Sequence, residues 1–90
     1  MTTSSIPDAK PSVQILYFAG AADVVGKRQE IKLINKELST TAELLLALKR
    51  EYPALSENHL RIAVNEEFVR DDHPLTSGDV VALIPPVCGG

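Results

Sequence analysis

The residues of this sequence with the clearest chemical potential are the last ones, PPVCGG, at positions 85–90. Pro85 and Pro86 lack a backbone N–H, so they end the hydrogen-bonding ladder of a strand and favour an extended chain. Gly89 and Gly90 have no side chains and adopt nearly any backbone angle, so they fit a channel too narrow for other residues. An extended segment of this length reaches on the order of 20 Å. The sequence therefore predicts a tail that carries its terminal carboxylate into a cleft on another protein.

The candidate reactive group is the α-carboxylate of Gly90. A terminal carboxyl group is ionised at neutral pH and is a poor electrophile, so it must first be activated. Joining it to AMP gives an acyl-adenylate with a good leaving group, and attack by a deprotonated sulfur then leaves a thiocarboxylate. The sequence favours a sulfur carrier that is not catalytic alone. We expect AMP and sulfur only as transient covalent groups at Gly90, and no stably bound cofactor.

Composition excludes several other classes of function. Ninety residues at 9.7 kDa make one small domain, which rules out a multidomain enzyme. The formal charge is −3 and the basic residues are scattered, which argues against a nucleic-acid partner. No apolar run reaches the roughly 20 residues of a membrane helix, so we expect no membrane partner. Cys88 is the single cysteine and cannot form an internal disulfide, which favours a reducing, cytoplasmic location.

Two other motifs are weak candidates for chemistry. Residues 20–27 (GAADVVGK) look like a phosphate-binding loop, but one residue too many separates the glycines, and Arg28 replaces the Ser or Thr that would hold magnesium. We interpret this segment as a surface loop. His59 and His73 lack the spacing of metal ligands and are predicted to be solvated. We expect no metal site.

Hydrophobic patterning predicts the elements that position the tail. Alternating or β-branched runs predict strands at residues 13–18, 29–33, 60–64, 68–69 and 80–84. A capping box, Thr40 to Glu43, predicts the start of a helix that Pro53 ends. Along this helix one face is apolar and lies on the sheet, whereas Leu46 falls off that face and is expected to be covered by a loop.

The element order is ββαβββ, with the last strand returning beside the first. One helix on a mixed sheet of four to five strands is an α+β arrangement, the β-grasp or ubiquitin-like fold. We divide the chain into a flexible leader at residues 1–12, a β-grasp domain at 13–84 and an extended tail at 85–90. A single helix covers one sheet face, so the other face carries either an exposed apolar patch or covering loops.

The sequence resembles the small, sulfur-carrier subunits of molybdopterin synthase among the ubiquitin-like sulfur carriers. The resemblance extends over nearly all residues after Ser12. Its motifs are the first strand with Ala19-Gly20, EYP at residues 51–53, AVN at 63–65, LTSGD at 75–79 and ALIPPVCGG at 82–90. The ending with two prolines and two glycines is the most specific of these.

This resemblance implies that Gly90 is adenylated by a ubiquitin-activating-type enzyme and converted to thioglycine. It further implies that the tail inserts into the large synthase subunit and gives sulfur to cyclic pyranopterin monophosphate, in a heterotetramer of two small and two large subunits. The modified residue is then Gly90. The inserting tail comprises Pro85, Pro86, Val87, Cys88 and Gly89, and the candidates for the docking surface are Phe18, Phe68 and Leu83.

Three alternatives remain open at this point. The chain could be a protein modifier joined to lysines through Gly90, although it lacks the basic stretch that precedes Gly-Gly in ubiquitin-like modifiers. It could supply sulfur for thiazole synthesis or tRNA thiolation, or be an interaction module with an inert tail.

Cys88 stands where the family more often has a small residue such as serine, and we interpret it as a small-residue equivalent and not as a redox group.

Overall fold

The computed structural model describes residues 10–57, 59–70 and 72–85. In chain order the elements are β1 (Ser12–Tyr17), α1 (Gly20–Val25), β2 (Gln29–Leu33), α2 (Thr41–Glu51), a 3₁₀ helix (Pro53–Glu57), β3 (Arg61–Val64), β4 (Glu67–Val69) and β5 (Val80–Ile84). The five strands form one sheet in the order β2-β1-β5-β3-β4. Only the β1–β5 pair is parallel among the paired strands, so the sheet is mixed. The predicted α+β β-grasp class is confirmed.

The central strands β1 and β5 divide their side chains between two faces. Their parallel register places Ile15 beside Val81 and Tyr17 beside Leu83. These four side chains are buried on the face that packs against α2. The residues between them, such as Leu16 and Ala82, point to the opposite face, since successive side chains of a strand alternate. One sheet face is therefore the core and the other is left open.

The helix α2 begins at the predicted capping residue. The Thr40 hydroxyl accepts a hydrogen bond from the backbone N–H of Glu43 (3.2 Å), as the capping box requires. The carboxylate of Glu43, however, accepts from the N–H of Ser39 (2.8 Å) and not from that of Thr40. Tyr52 caps the other end, and Pro53 opens the 3₁₀ helix that follows. The predicted helix is confirmed. The return hydrogen bond of the capping box, which Glu43 accepts, comes from Ser39, one residue before the predicted donor Thr40.

A loop far along the chain completes the start of α2. Asp72 accepts a hydrogen bond from the backbone N–H of Ala42 (2.8 Å), which is one of the free donors of the first helical turn. The N–H of Thr41 donates to the carbonyl of His73 (2.9 Å), and Thr41 itself is buried. These contacts fasten the segment before β5 to the helix, and they hold His73 in a half-buried position and not in the solvated one predicted.

Helix α1, like the 3₁₀ helix after α2, is an element that the sequence did not predict. Its first residue follows Ala19, which has a positive φ of 49° and gives no side-chain cap. Gly26 ends the helix in the left-handed region, with φ 86°, and donates its N–H to the carbonyl of Ala22 (2.8 Å). The segment interpreted as a surface loop is thus a short helix. Its anchor is Ala21, which is fully buried.

The boundaries of the domain shift slightly from those predicted. The carbonyl of Pro11 accepts a hydrogen bond from the N–H of Ile34 (3.0 Å), and Ser12 already belongs to β1. The sheet therefore begins within the leader predicted at residues 1–12, of which residues 1–9 lie outside the described part. Leu46, expected under a loop, is instead 52% exposed on α2.

Candidate functional site

The open face of the sheet carries a shallow groove of about 500 Å³. Strands β1, β5 and β3 form its floor, and the β3–β4 hairpin forms one wall. The lining residues are Leu16, Phe18, Ala63, Asn65, Glu66, Phe68, Val80, Ala82 and Ile84. Most of these side chains are apolar, so the open face carries the exposed patch, one of the two alternatives left by the sequence.

Phe18 reaches this groove because its neighbour is anchored on the other side of the sheet. Tyr17 is buried in the core, packs edge-on against Tyr52 with ring centres 6.4 Å apart, and donates a hydrogen bond to the carboxylate of Glu30. The chain then leaves β1, and Phe18 is 45% exposed. Phe18 and Leu16 also line a second groove of about 560 Å³ beside α1. Phe18 is therefore placed where a partner can contact it from either side.

The Glu30 carboxylate that anchors Tyr17 receives several donors. Burial acts to raise the pKa of Glu30, but the hydrogen bond from Tyr17 and the nearby charge of Lys27 outweigh it, so the pKa lies below its usual range. Burial, together with the bond to Glu30, raises the pKa of Tyr17, so its hydroxyl keeps its proton. The hydroxyl of Tyr52 donates to the same carboxylate (3.3 Å). These contacts fix the end of β1 from which Phe18 projects.

Phe68 forms the opposite wall and is 56% exposed. It lies on β4 opposite Ala63 of β3, in a hairpin that turns at Asn65 and Glu66 with φ of 51° and 73°. Two consecutive positive φ values are typical of the tight turns that suit the twist of a hairpin. Phe68 is thus presented on a short, firmly turned ribbon at the rim of the groove.

One of the three docking candidates named from the sequence is wrong. Leu83 is fully buried, with 0% of its surface exposed, and it packs in the core beneath α2. Its neighbour Ile84 lines the groove instead. The alternation along β5 contains the signal for this, since Ile84 shares a face with Ala82 whereas Leu83 shares one with Val81. Phe18 and Phe68 are exposed, and their role in docking stays a prediction.

At the end of the groove near Asn65 and Val80, hydrogen bonds connect the β3–β4 hairpin to the turn that precedes β5. The side-chain oxygen of Asn65 accepts from the N–H of Val80 (3.0 Å), and its amide donates to Asp79 (3.0 Å). Asp79 also accepts from the N–H of Thr76 (2.9 Å), which is the main cause that lowers the pKa of its carboxyl group. Asp79, like Asp72, thus has a structural role, since each accepts hydrogen bonds from backbone N–H groups. These bonds join the β3–β4 hairpin to the start of β5.

The tail leaves the sheet beside this groove. Ile84, the last residue of β5, is paired with Arg61, the first residue of β3, and Pro85 follows. The tail residues Pro86, Val87, Cys88, Gly89 and Gly90 lie outside the described residues. The groove and the root of the tail share Ile84, so a partner that covers the groove also meets the start of the tail.

Other kinds of site find no support in the part of the chain that the structure describes. No group of three or more His, Cys, Asp or Glu side chains there is arranged to hold a metal ion. Within the same residues, no helix is long and apolar enough to cross a membrane.

Comparison with known proteins identifies the family. The ThiS family profile matches residues 15–90, which is most of the chain and includes its last residue. The chain belongs to the ThiS family. Two relatives are similar over nearly their whole length, and both are named molybdopterin synthase sulfur carrier subunit. The one from Escherichia coli is 35% identical, covering 87% of this chain and 99% of that protein, and the one from Dictyostelium discoideum is 36% identical, covering 86% and 94%.

Three solved structures of other proteins share this fold. A structure from Pyrococcus furiosus, provisionally named molybdopterin converting factor subunit 1, has a TM-score of 0.76 at 26% identity and covers 87% of this chain and all of its own. SAMP1 from Haloferax volcanii has a TM-score of 0.74 at 29% identity, covering 88% and 99%. A complex of subunits 1 and 2 of molybdopterin-converting factor from Helicobacter pylori contains a chain with a TM-score of 0.62 at 29% identity, covering 88% and 99%.

Proposed function

We propose that this ThiS-family protein is the sulfur carrier subunit of a molybdopterin synthase. The observation that carries the proposal is the agreement of curated relatives that bear this name. Three of them, from organisms as different as Escherichia coli and Homo sapiens, match the chain over 93–99% of their own length. The family match extends to Gly90, so the two glycines lie inside the shared sequence.

The proposed chemistry takes place at the carboxylate of Gly90. An activating enzyme of the ubiquitin-activating type transfers AMP from ATP to this carboxylate and releases pyrophosphate, which turns an unreactive anion into a mixed anhydride. Hydrosulfide attacks the carbonyl carbon, the C–O bond to AMP breaks so that AMP leaves with the bonding electrons, and loss of the S–H proton leaves the thiocarboxylate. This sulfur then passes to cyclic pyranopterin monophosphate, where it contributes to the dithiolene of molybdopterin. The carrier supplies the bound sulfur and no catalytic side chain.

The groove on the open face is the proposed docking surface for the large synthase subunit. Its exposed aromatic side chains, Phe18 and Phe68, are the kind of residue that dominates binding energy at protein interfaces. The root of the tail lies beside it at Ile84, so docking the groove directs residues 85–90 toward the partner. A heterotetramer of two small and two large subunits, with Pro85 to Gly89 inserted in the large one, belongs to this proposal.

Intact-mass measurement tests the proposed chemistry. The chain is incubated with ATP, an activating enzyme and a sulfur source, and we expect a mass gain equal to sulfur replacing one oxygen. A variant that lacks Gly89 and Gly90 is the control and should show no gain. Full molybdopterin synthesis by this truncated variant, added to large subunit and precursor, would contradict the sulfur-carrier proposal.

A protein modifier is the second candidate, because SAMP1-type structures, described as a small archaeal modifier protein, share this fold at 28–29% identity. The same activation of Gly90 then ends in an isopeptide bond to a lysine of a target. Mass spectrometry of cell extracts separates the two functions, since target peptides branched through Gly90 support the modifier. Carriers for thiazole synthesis or tRNA thiolation rank lower, and complementation of strains lacking each pathway distinguishes them.

The remaining expectations about the setting of the protein stay proposals. The cytoplasm is the expected compartment, because the single cysteine does not require an oxidising one. Neither a nucleic acid nor a membrane is an expected partner.

A further inference from the structure

We propose that the free edge of β2 is a second interaction surface, and that its partner is β2 of a second copy of this chain, paired antiparallel about a two-fold axis at Ile31. This surface is separate from the groove, and the proposal does not depend on the sulfur-carrier function. Four observations on β2 support it: its free backbone groups, its exposed apolar side chains, the order of its charges and its distance from the tail.

The backbone of β2 offers a row of unpaired donors and acceptors. The carbonyl of Arg28 accepts from the N–H of Tyr17 (2.8 Å), and the N–H of Ile34 donates to the carbonyl of Pro11 (3.0 Å). In an antiparallel pair, every second residue bonds to the neighbouring strand. Even-numbered residues of β2 therefore face β1, and the N–H and C=O groups of Gln29, Ile31 and Leu33 point away from the sheet. In the described chain β2 is an edge strand, so this row has no strand beside it.

Two of the side chains that this edge presents on the open face are apolar, whereas an unpaired edge is usually protected by polar or charged residues. Ile31 is 64% exposed and Leu33 is 53% exposed, and both lie on the open face of the sheet. Edge strands of monomeric proteins are commonly short or carry charges that discourage pairing. The other edge, β4, follows this pattern, since it has three residues and begins with Glu67. Strand β2 has five residues, and its charged side chains, Glu30 and Lys32, lie on the core-facing side, which leaves the open face of this edge apolar.

The charges of β2 select one register for self-pairing. With Ile31 opposite Ile31 of the second copy, Glu30 lies opposite Lys32 of that copy, and the reverse pair forms at the other end. Moving the register by two residues in one direction places Glu30 opposite Glu30, and in the other direction Lys32 opposite Lys32. Like charges directly opposite each other destabilise a strand pair, whereas opposite charges stabilise it. A shift by one residue places the outward N–H and C=O groups of one copy opposite residues of the other copy whose groups point back toward β1, so the hydrogen bonds cannot form.

The resulting interface closes on itself. Gln29, Ile31 and Leu33 form hydrogen-bonded pairs with Leu33, Ile31 and Gln29 of the second copy, so every outward group of these residues is satisfied. A two-fold interface of this kind uses the same surface on both copies and leaves no free β2 edge to extend a filament. Strand β1 separates β2 from β5, from which the tail leaves, so both tails remain accessible. Two carriers can therefore pair while each presents its carboxyl terminus.

Sedimentation velocity over a range of concentrations tests the proposal with the full chain. We expect a concentration-dependent dimer, and we expect Ile31→Lys to weaken dimerisation at least about tenfold, because it places two ammonium groups opposite each other on the axis. Leu46→Lys is the matched control, since Leu46 is comparably exposed on α2 and should leave the dimer unchanged. Circular dichroism confirms that both variants are folded.

Disulfide trapping tests the register. In a Cys88→Ser background, Ile31→Cys should crosslink with itself under a mild oxidant, because residues opposite each other in a hydrogen-bonded pair have Cα atoms about 5.5 Å apart. Gln29→Cys alone should not crosslink, but it should do so when mixed with Leu33→Cys. A chain that stays monomeric at millimolar concentration overturns the proposal. So does a dimer that Phe68→Lys disrupts and Ile31→Lys does not, since that dimer uses the groove.

Discussion

The guanidinium of Arg61 lies over the ring of Phe68, with its central carbon 4.2 Å from the ring centre. Arg61 begins β3 and is paired with Ile84, so this contact joins the rim of the groove to the root of the tail. A cation over an aromatic face at this distance is favourable by about 0.5–1 kcal/mol at an exposed site. The contact therefore favours this orientation of the exposed Phe68 ring before any partner arrives.

Replacing Phe68 with Ser should weaken binding to the large synthase subunit by at least about tenfold, which corresponds to about 1.4 kcal/mol. The reason is that a fixed aromatic side chain loses little entropy on docking and buries a large apolar area. Isothermal titration calorimetry with purified large subunit measures the effect. Leu46→Ser removes an equally exposed apolar side chain from α2 and should leave the affinity unchanged. Equal weakening by both variants would place docking elsewhere than in the groove.

Replacing Gly89 with Val should abolish thiocarboxylate formation at Gly90. A branched side chain next to the terminal residue restricts the range of backbone angles that the tail can adopt. It also adds bulk in the channel of the activating enzyme that the tail must enter. Intact-mass measurement after incubation with ATP, activating enzyme and sulfur source checks this. Gly20→Val is the matched control, because a Cβ at Gly20 meets open space. A Gly89→Val variant that still gains sulfur would show that the channel is wider than proposed.

The anchoring of Tyr17 by Glu30 makes the stability of the fold depend on pH. The pKa of Glu30 is lowered in the folded state, so the stabilisation is fully present above the unfolded-state pKa and is lost as pH falls through the folded one. Tyr17→Phe removes the hydroxyl donor and should lower the free energy of unfolding by about 1–2 kcal/mol at neutral pH. In this variant the fold lowers the pKa of Glu30 less than in the unmodified chain, so the variant should lose less stability when the pH falls.

Urea unfolding at neutral pH and at about pH 3.5, below the ordinary pKa of a glutamate, measures both quantities. Tyr52→Phe is the comparison, since its hydroxyl reaches the same carboxylate oxygen at the longer distance of 3.3 Å and should have a smaller effect. Identical acid sensitivity in Tyr17→Phe and in the unmodified chain would exclude Glu30 as the source.

The sequence predicted those parts of the fold that depend on residues close together in the chain. The β-branched and aromatic runs identified β1 and β5 as strands, because such residues suit a pleated, packed surface, but they did not decide which face is buried. The Thr40 cap identified the start of α2, since a free N–H needs an acceptor within a few residues.

What the sequence did not predict depends on contacts between distant segments. Asp72 caps α2 from a loop thirty residues further along the chain, and nothing near Asp72 in the sequence indicates that role. Helix α1 has no side-chain cap and is held by the burial of Ala21, which only the assembled core provides. Leu83 was assigned to the docking surface although it alternates with Ala82 and Ile84. The run of apolar residues in β5 does not show which alternate set faces the helix, and the packing of α2 on the sheet decides it.

The Asn65 side chain offers the sharpest test of how the groove is built. Asn65 has a positive φ of 51°, accepts from the N–H of Val80 and donates to Asp79, so it holds both the turn and the junction with β5. Asn65→Gly keeps the backbone angle accessible and removes only the side-chain bonds, whereas Asn65→Ala also strains the turn. Thermal unfolding should therefore rank Asn65→Ala as less stable than Asn65→Gly, with both below the unmodified chain by about 1–3 kcal/mol. If the groove depends on this junction, both variants should also bind the large subunit more weakly at a temperature where they are fully folded. Unchanged affinity there would mean that Phe68 and Ile84 keep their positions without Asn65.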